Sequence, residues 1–140
     1  MFLFDEVDFV QTQNLPLADL WYFLPFGYLL TILIETPILL IGLPSKVSLK
    51  RRLICGIWLT ACTYPIVVLV LPALFYGEPR WQYLAVAETF APVGECLLFW
   101  LAFRGGELEW TRSFVAIVIA NLASFGVGEV FNYSGWFGLF

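Results

Sequence analysis

Four glutamates interrupt the long apolar stretches of this sequence, and they are the side chains best suited to chemistry. Glu35, Glu88, Glu95 and Glu129 lie inside or at the edge of these stretches. A carboxylate near the middle of a membrane costs about 2.5–3.5 kcal/mol on insertion scales, so it is expected to face protein or water and to have hydrogen-bonding partners. Carboxylates placed in this way are typical of proton and cation sites.

Two of the glutamates share a depth. Glu35 and Glu95 each lie nine residues before the end of their predicted helix, at Pro44 and Arg104. This spacing corresponds to about 13 Å, close to the middle of a bilayer core of about 30 Å. Hydroxyl and amide groups occur at a similar depth in the helices that follow, at Thr60, Thr63, Asn121 and Ser124. Such groups donate hydrogen bonds that lipid cannot supply.

These residues define a candidate site for a proton or a small cation. Its members are Glu35, Glu88, Glu95, Thr63, Asn121 and Ser124. Glu88 precedes Glu95 by seven residues, on the same helix face and about 10 Å away. The structural alternative is that the hydroxyl and amide groups only join helices, and that Glu88 and Glu129 reach the lipid headgroups. Gly126 and Gly128 are interpreted as close-packing positions.

The polar positions recur with a nearly constant offset. Glu35 and Glu95 are 60 residues apart, while Thr60 and Thr63 precede Asn121 and Ser124 by 61. Each half would contain two spans and insert the same way up, which places a pseudo-twofold axis along the membrane normal. We therefore predict two helical hairpins related by duplication. Prolines at 37, 65 and 92 lie in or beside the polar positions and free backbone carbonyls there.

The elements that position these residues follow from composition. The chain has 140 residues, of which 61% are hydrophobic and 13% charged, a balance typical of membrane proteins. The apolar runs are continuous, so they predict helices rather than barrel strands. We predict an all-α polytopic membrane protein forming one domain, 1–140, with spans at residues 17–43, 53–75, 81–103 and 112–131 and an amphipathic segment at residues 1–14.

Basic residues predict the orientation. The loops after the first and third spans hold six Lys and Arg residues, whereas the opposite side has Arg80 alone. By the positive-inside rule the two basic loops face the cytoplasm, and both termini face the other side. Interfacial aromatic residues such as Trp21, Tyr76 and Trp81 then gather near the outer boundary.

Several function classes are disfavoured. Histidine is absent, and the three cysteines form no CxxC pair, so we expect neither a metal site nor a cofactor. No protease-like or phosphate-binding motif occurs, and we expect no catalytic residues and no enzymatic activity. The basic runs are too short for a nucleic-acid surface.

The segments Glu35-Thr-Pro37, Trp58-Leu-Thr-Ala-Cys-Thr-Tyr-Pro65 and Ala120-Asn-Leu-Ala-Ser124 resemble those of small four-helix membrane proteins of bacteria, cyanobacteria included. The resemblance implies a bacterial inner or thylakoid membrane and no particular activity. Two functions are compatible with the sequence. In the first, the chain would bind or conduct a proton or small cation as part of a homo-oligomer. In the second, it would be a non-catalytic accessory subunit among other subunits of a photosynthetic or respiratory membrane complex.

Overall fold

The computed structural model describes residues 17–133, and every regular element in this range is helical. The predicted amphipathic segment at residues 1–14 lies outside the described residues. Four helices are long and apolar enough to span a membrane. They are α1 Leu17–Gly42, α2 Leu49–Leu74, α3 Arg80–Phe103 and α4 Trp110–Tyr133. The prediction of an all-helical chain with four such helices is confirmed for the described residues.

The second and fourth helices are longer than the sequence predicts. Helix α2 begins at Leu49 rather than at residue 53, because Ser48 caps it and its hydroxyl accepts a hydrogen bond from the Arg51 N–H at 3.4 Å. Three of the four basic residues of the predicted loop, Lys50, Arg51 and Arg52, therefore belong to the first helical turn. Helix α4 runs from Trp110 to Tyr133, instead of over residues 112–131.

The four helices form a bundle in which each helix packs against the one that follows it in the chain, and α4 packs against α1. Helices α1 and α3 each pack against both α2 and α4. We call the end with the loops at residues 43–48 and 104–109 the basic-loop end, and the end with the loop at residues 75–79 the Glu78 end. The core lies towards the basic-loop end and is built from Leu39, Leu43, Cys55, Leu59, Phe99, Ile117 and Ala120. That half of the bundle is closely packed.

Two glycines allow the helices of this half to touch. A methyl group at Gly56 would overlap the Thr36 hydroxyl, and one at Gly42 would lie 2.7 Å from the Ala116 side chain. Small residues permit such close backbone contacts between membrane helices. The expectation that Gly126 and Gly128 are close-packing positions is wrong within the described part of the chain, where a methyl group at either one would meet no atom within 4 Å.

Helix α2 changes its hydrogen-bond register in the other half. After Pro65 the chain forms a π-helical segment, Ile66–Val70, in which the Leu71 N–H donates to the Ile66 carbonyl. In the same register residue 72 would donate to Val67, but Pro72 has no N–H. The Tyr83 hydroxyl of α3 donates to the Val67 carbonyl instead, at 3.0 Å. A side chain thus replaces the bond that proline removes.

At the basic-loop end, too, a side chain replaces a backbone hydrogen bond that a proline removes. The Leu43 N–H donates to Leu39, but Pro44 cannot continue the series to the Leu40 carbonyl. The Arg52 guanidinium donates to that carbonyl at 2.7 Å, and also to the carbonyls of Pro44 and Val47. These bonds fix the end of α1 against α2.

Replacing Gly56 with alanine tests the contact between α1 and α2. The added methyl group overlaps Thr36, so we expect unfolding free energy to fall by about 1–3 kcal/mol. Denaturant unfolding in detergent, followed by circular dichroism, measures the change. Gly126→Ala is the matched control, because it gains the same helix propensity in open space. Equal stability of the two variants would contradict the packing described.

Candidate functional site

Glu35 lies at the centre of the bundle and joins three helices. Its carboxyl group is buried, with 2% of the residue exposed. The Thr60 hydroxyl of α2 donates to Oε2 at 2.8 Å, and the Ser124 hydroxyl of α4 donates to Oε1 at 2.6 Å. Helices α1 and α2 form the first helical hairpin, and α3 and α4 form the second. Glu35 of α1 is therefore held by Thr60 of its own hairpin and by Ser124 of the other.

Glu95 on α3 has the corresponding partners. It is as deeply buried, with 2% exposed. The Asn121 amide of α4 donates to Oε2 at 2.8 Å, and the Thr63 hydroxyl of α2 donates to Oε1 at 2.9 Å. This carboxyl group also joins α3 to one residue of its own hairpin and one of the other.

The spacing of the donors explains why each carboxyl group is bonded by one residue of α2 and one residue of α4. Thr60 and Thr63 are three residues apart on α2, and Asn121 and Ser124 are three residues apart on α4, so each pair shares one helix face. One member of each pair bonds Glu35 and the other bonds Glu95. All four carboxyl oxygens accept a hydrogen bond, which suits the acceptor-only carboxylate. We call these six residues the polar layer.

The three hydroxyl groups can also serve a protonated carboxyl group. Each of them lies within hydrogen-bonding distance of a backbone carbonyl of its own helix: Thr60 to Gly56 at 2.9 Å, Thr63 to Leu59 at 3.2 Å and Ser124 to Asn121 at 2.9 Å. A hydroxyl has one proton and two lone pairs. By rotating its proton to the backbone it becomes an acceptor for a carboxyl O–H. The polar layer therefore accommodates both the charged and the neutral carboxyl.

A cavity connects the polar layer to one end of the bundle. Its volume is about 260 Å³, and it extends from Glu35 and Glu95 to Tyr76, Glu78 and Arg80 at the Glu78 end. The core packs on the other side of the polar layer. The two central carboxyl groups thus form the floor of a vestibule that is reached from the Glu78 end. The described residues that line it include five glutamates and one arginine.

The single arginine is at the mouth of the vestibule. The Arg80 guanidinium donates to the Glu129 carboxylate at 2.8 Å, with 9% and 29% of the two side chains exposed. Glu88 lines the vestibule between this ion pair and the floor. Arg80 thus holds Glu129 at the mouth of the vestibule.

The structure brings together all of the residues that the sequence marks as a site. Glu35, Glu95, Thr63, Asn121 and Ser124 are directly hydrogen-bonded in the polar layer, and Glu88 lines the vestibule above them. Thr60 belongs to the same network, although the predicted site did not include it. Tyr64, Tyr83 and Arg80 also line the vestibule and were not identified. The isolation of Arg80 from all other basic residues was the one available signal.

The chain matches no family model, no curated protein and no solved structure. The site is therefore interpreted from its own geometry.

Replacing Thr63 with valine tests the hydrogen bonds of the polar layer. Valine has nearly the same shape but donates nothing, so Glu95 keeps only the Asn121 amide. We expect a loss of about 1–3 kcal/mol in unfolding free energy, the typical effect of removing one partner of a buried polar group. Detergent unfolding measures it.

Thr89→Val is the matched control for Thr63→Val. Thr89 is exposed, and its hydroxyl bonds only the Ala85 carbonyl of its own helix. If the two valine variants had equal stability, the interaction of Thr63 with Glu95 would contribute nothing to the fold.

Proposed function

We propose that this chain is an integral membrane protein that binds a proton or a small cation at the Glu35–Glu95 pair, with access from one side of the membrane. The observation that carries the proposal is the pair itself, two buried carboxyl groups at the floor of a vestibule. Their partners suit both protonation states. A site of this kind exchanges a proton for a cation without rearranging its helices.

Charge balance favours a positively charged occupant. The donors around Glu35 and Glu95 are hydroxyl and amide groups, which supply hydrogen bonds but no positive charge. The arginine of the vestibule is engaged by Glu129. Buried ionised carboxylates require compensating positive charge, since desolvating them costs several kcal/mol. A proton or a cation provides it.

The packing favours binding over an open pore. Between the floor and the basic-loop end the bundle is filled by buried side chains such as Leu39, Leu59, Phe99 and Ile117. A cation that reaches the polar layer from the Glu78 end therefore meets a closed apolar core. Transport across the bundle would require the helices to part, or a pathway shared with other copies or subunits.

The orientation and the internal repeat belong to this proposal. The positive-inside rule places the basic-loop end in the cytoplasm of a bacterial inner or thylakoid membrane, so that the vestibule opens on the opposite side. The hydrogen bonds support two parallel-repeat hairpins. The bonds of Thr60 and Ser124 to Glu35 correspond, at offsets of 60 and 61 residues, to the bonds of Asn121 and Thr63 to Glu95.

We propose that the chain acts in the bilayer as a homo-oligomer or with other membrane subunits. Many large apolar side chains are exposed on the bundle, among them Leu33, Ile41, Trp81, Leu97 and Leu122. Such a surface suits lipid or the helices of partner subunits. In the accessory-subunit alternative, the polar layer only holds the hairpins together.

Glutamine variants of the floor test the function. Glu35→Gln and Glu95→Gln remove one negative charge each and keep the size of the side chain. In detergent at constant ionic strength, we expect sodium, potassium or ammonium chloride to displace protons from the wild-type protein. This release should fall by about tenfold or more in either variant, because a buried charge partner contributes about 2–5 kcal/mol. Proton release in weakly buffered solution is the measurement.

Glu107→Gln is the control, since Glu107 is exposed in the loop between α3 and α4. Unchanged proton release in both floor variants would overturn the binding proposal. A stable heteromeric complex that forms equally well with both variants, combined with that result, would establish the accessory role.

A further inference from the structure

We propose that the vestibule binds a linear aliphatic polyamine, with one ammonium group at the Glu35–Glu95 floor and a second at Glu88. This inference rests on the proposed function, because it names the class of cation for the same floor. It comes from four features of the vestibule: the distance between its acidic groups, its apolar walls, the hydrogen-bond acceptors of the floor, and the space beside Gly128.

The acidic groups form two stations along one helix. Glu88 and Glu95 are seven residues apart on α3, which places them on nearly the same face and roughly 10 Å apart along the axis. Both line the vestibule. The Glu88 carboxylate lies above the floor, and within the described residues no hydrogen bond or ion pair is formed by its side chain. A second positive group of the ligand would bind there.

The walls of the vestibule are largely apolar and aromatic. Its apolar lining includes Leu30 of α1, Val67 of α2 and Phe125 of α4, with Ala91 between the two stations on α3. The rings of Tyr64 and Tyr83 also line it, and tyrosine faces attract alkylammonium groups. A methylene chain between two ammonium groups buries apolar surface against such walls. A hydrated inorganic ion has no apolar surface to place against them.

The floor suits an ammonium group in particular. Each of the four carboxyl oxygens of Glu35 and Glu95 already accepts one hydrogen bond from a neighbouring helix. Their remaining acceptor positions match the three N–H donors of a primary ammonium. A hard divalent cation would need six to eight oxygen ligands, while the groups around this pair are hydroxyl and amide donors.

Gly128 provides room for the body of the ligand. It lies on α4 one turn beyond Ser124 towards the Glu78 end, and it lines the vestibule. Among residues 17–133, a methyl group there would meet no atom within 4 Å, so a larger side chain fits and occupies the space. The missing side chain at Gly128 thus leaves space in the vestibule between floor and mouth. Gly126, on the same helix, has equally open surroundings but does not line the vestibule.

A series of amines tests the inference on the full-length protein in detergent or nanodiscs. Isothermal titration would compare sodium, methylammonium, ethylenediamine, putrescine, octamethylenediamine and spermidine. We expect the affinity to rise with the separation of the terminal nitrogens and to peak when that separation is roughly 10 Å, as in the last two amines. Methylammonium, which reaches one station, should bind about tenfold or more weakly.

Three variants locate the ligand. Glu88→Gln should lower spermidine affinity by roughly fivefold to tenfold and abolish the dependence on chain length, while leaving methylammonium binding unchanged. Gly128→Leu should weaken octamethylenediamine and spermidine by a similar factor. Gly126→Leu, the matched control, should bind both amines as the wild type does.

The outcomes separate this inference from the proposed function. If all cations bind with the same affinity whatever their length, and Glu35→Gln abolishes that binding, the polyamine inference is wrong and the proposed function stands. An equal loss of affinity in Gly128→Leu and Gly126→Leu would also overturn the inference. If no cation binds and none displaces protons, the proposed function fails too.

Discussion

The hydrogen bonds between two buried carboxyl groups and the helices of the opposite hairpin are the constraint on which the structure depends. Ser124 donates to Glu35 and Thr63 donates to Glu95, and both bonds join the first hairpin to the second. In an apolar surrounding an unpaired carboxyl group is costly, so the helices are held in the register in which both oxygens of Glu35 and both oxygens of Glu95 have a donor. Dispersion contacts alone specify helix positions less sharply, because apolar side chains tolerate small shifts.

Side chains also replace backbone hydrogen bonds where prolines interrupt the helices. The Arg52 guanidinium donates to the Leu40 carbonyl, which Pro44 leaves without a helical donor. The Tyr83 hydroxyl donates to the Val67 carbonyl, which Pro72 leaves without one. Each of these bonds comes from a neighbouring helix. The backbone carbonyl that each proline leaves without a helical donor thus forms a hydrogen bond with the next helix. In this way the prolines contribute to the tertiary structure instead of weakening it.

The sequence predicts the helices and the depth of the polar groups, but not how these groups pair. Continuous apolar runs predict the four helices, because a helix that crosses a bilayer core needs about 20 apolar residues. Equal distances from the loops place Glu35 and Glu95 level with their donors. The bond from Ser124 to Glu35 joins residues 89 apart, and it depends on how each helix is rotated about its axis. Helix ends were less predictable, since the Ser48 cap brings basic residues into α2. Gly126 and Gly128 were misread because a glycine can serve either close contact or open space.

The polar layer divides the bundle into two halves with different physical properties. On the basic-loop side, Gly42 and Gly56 allow close helix contacts, and the core is filled with buried apolar side chains. On the Glu78 side, Gly128 leaves open space, and α2 passes into a π-helical register that a Tyr83 hydroxyl stabilises. A π-helical segment widens a helix and often occurs where a protein binds a ligand. The carboxyl groups lie at the boundary of the two halves, where the packed side shields them from one end of the bundle and the vestibule leads from them to the other.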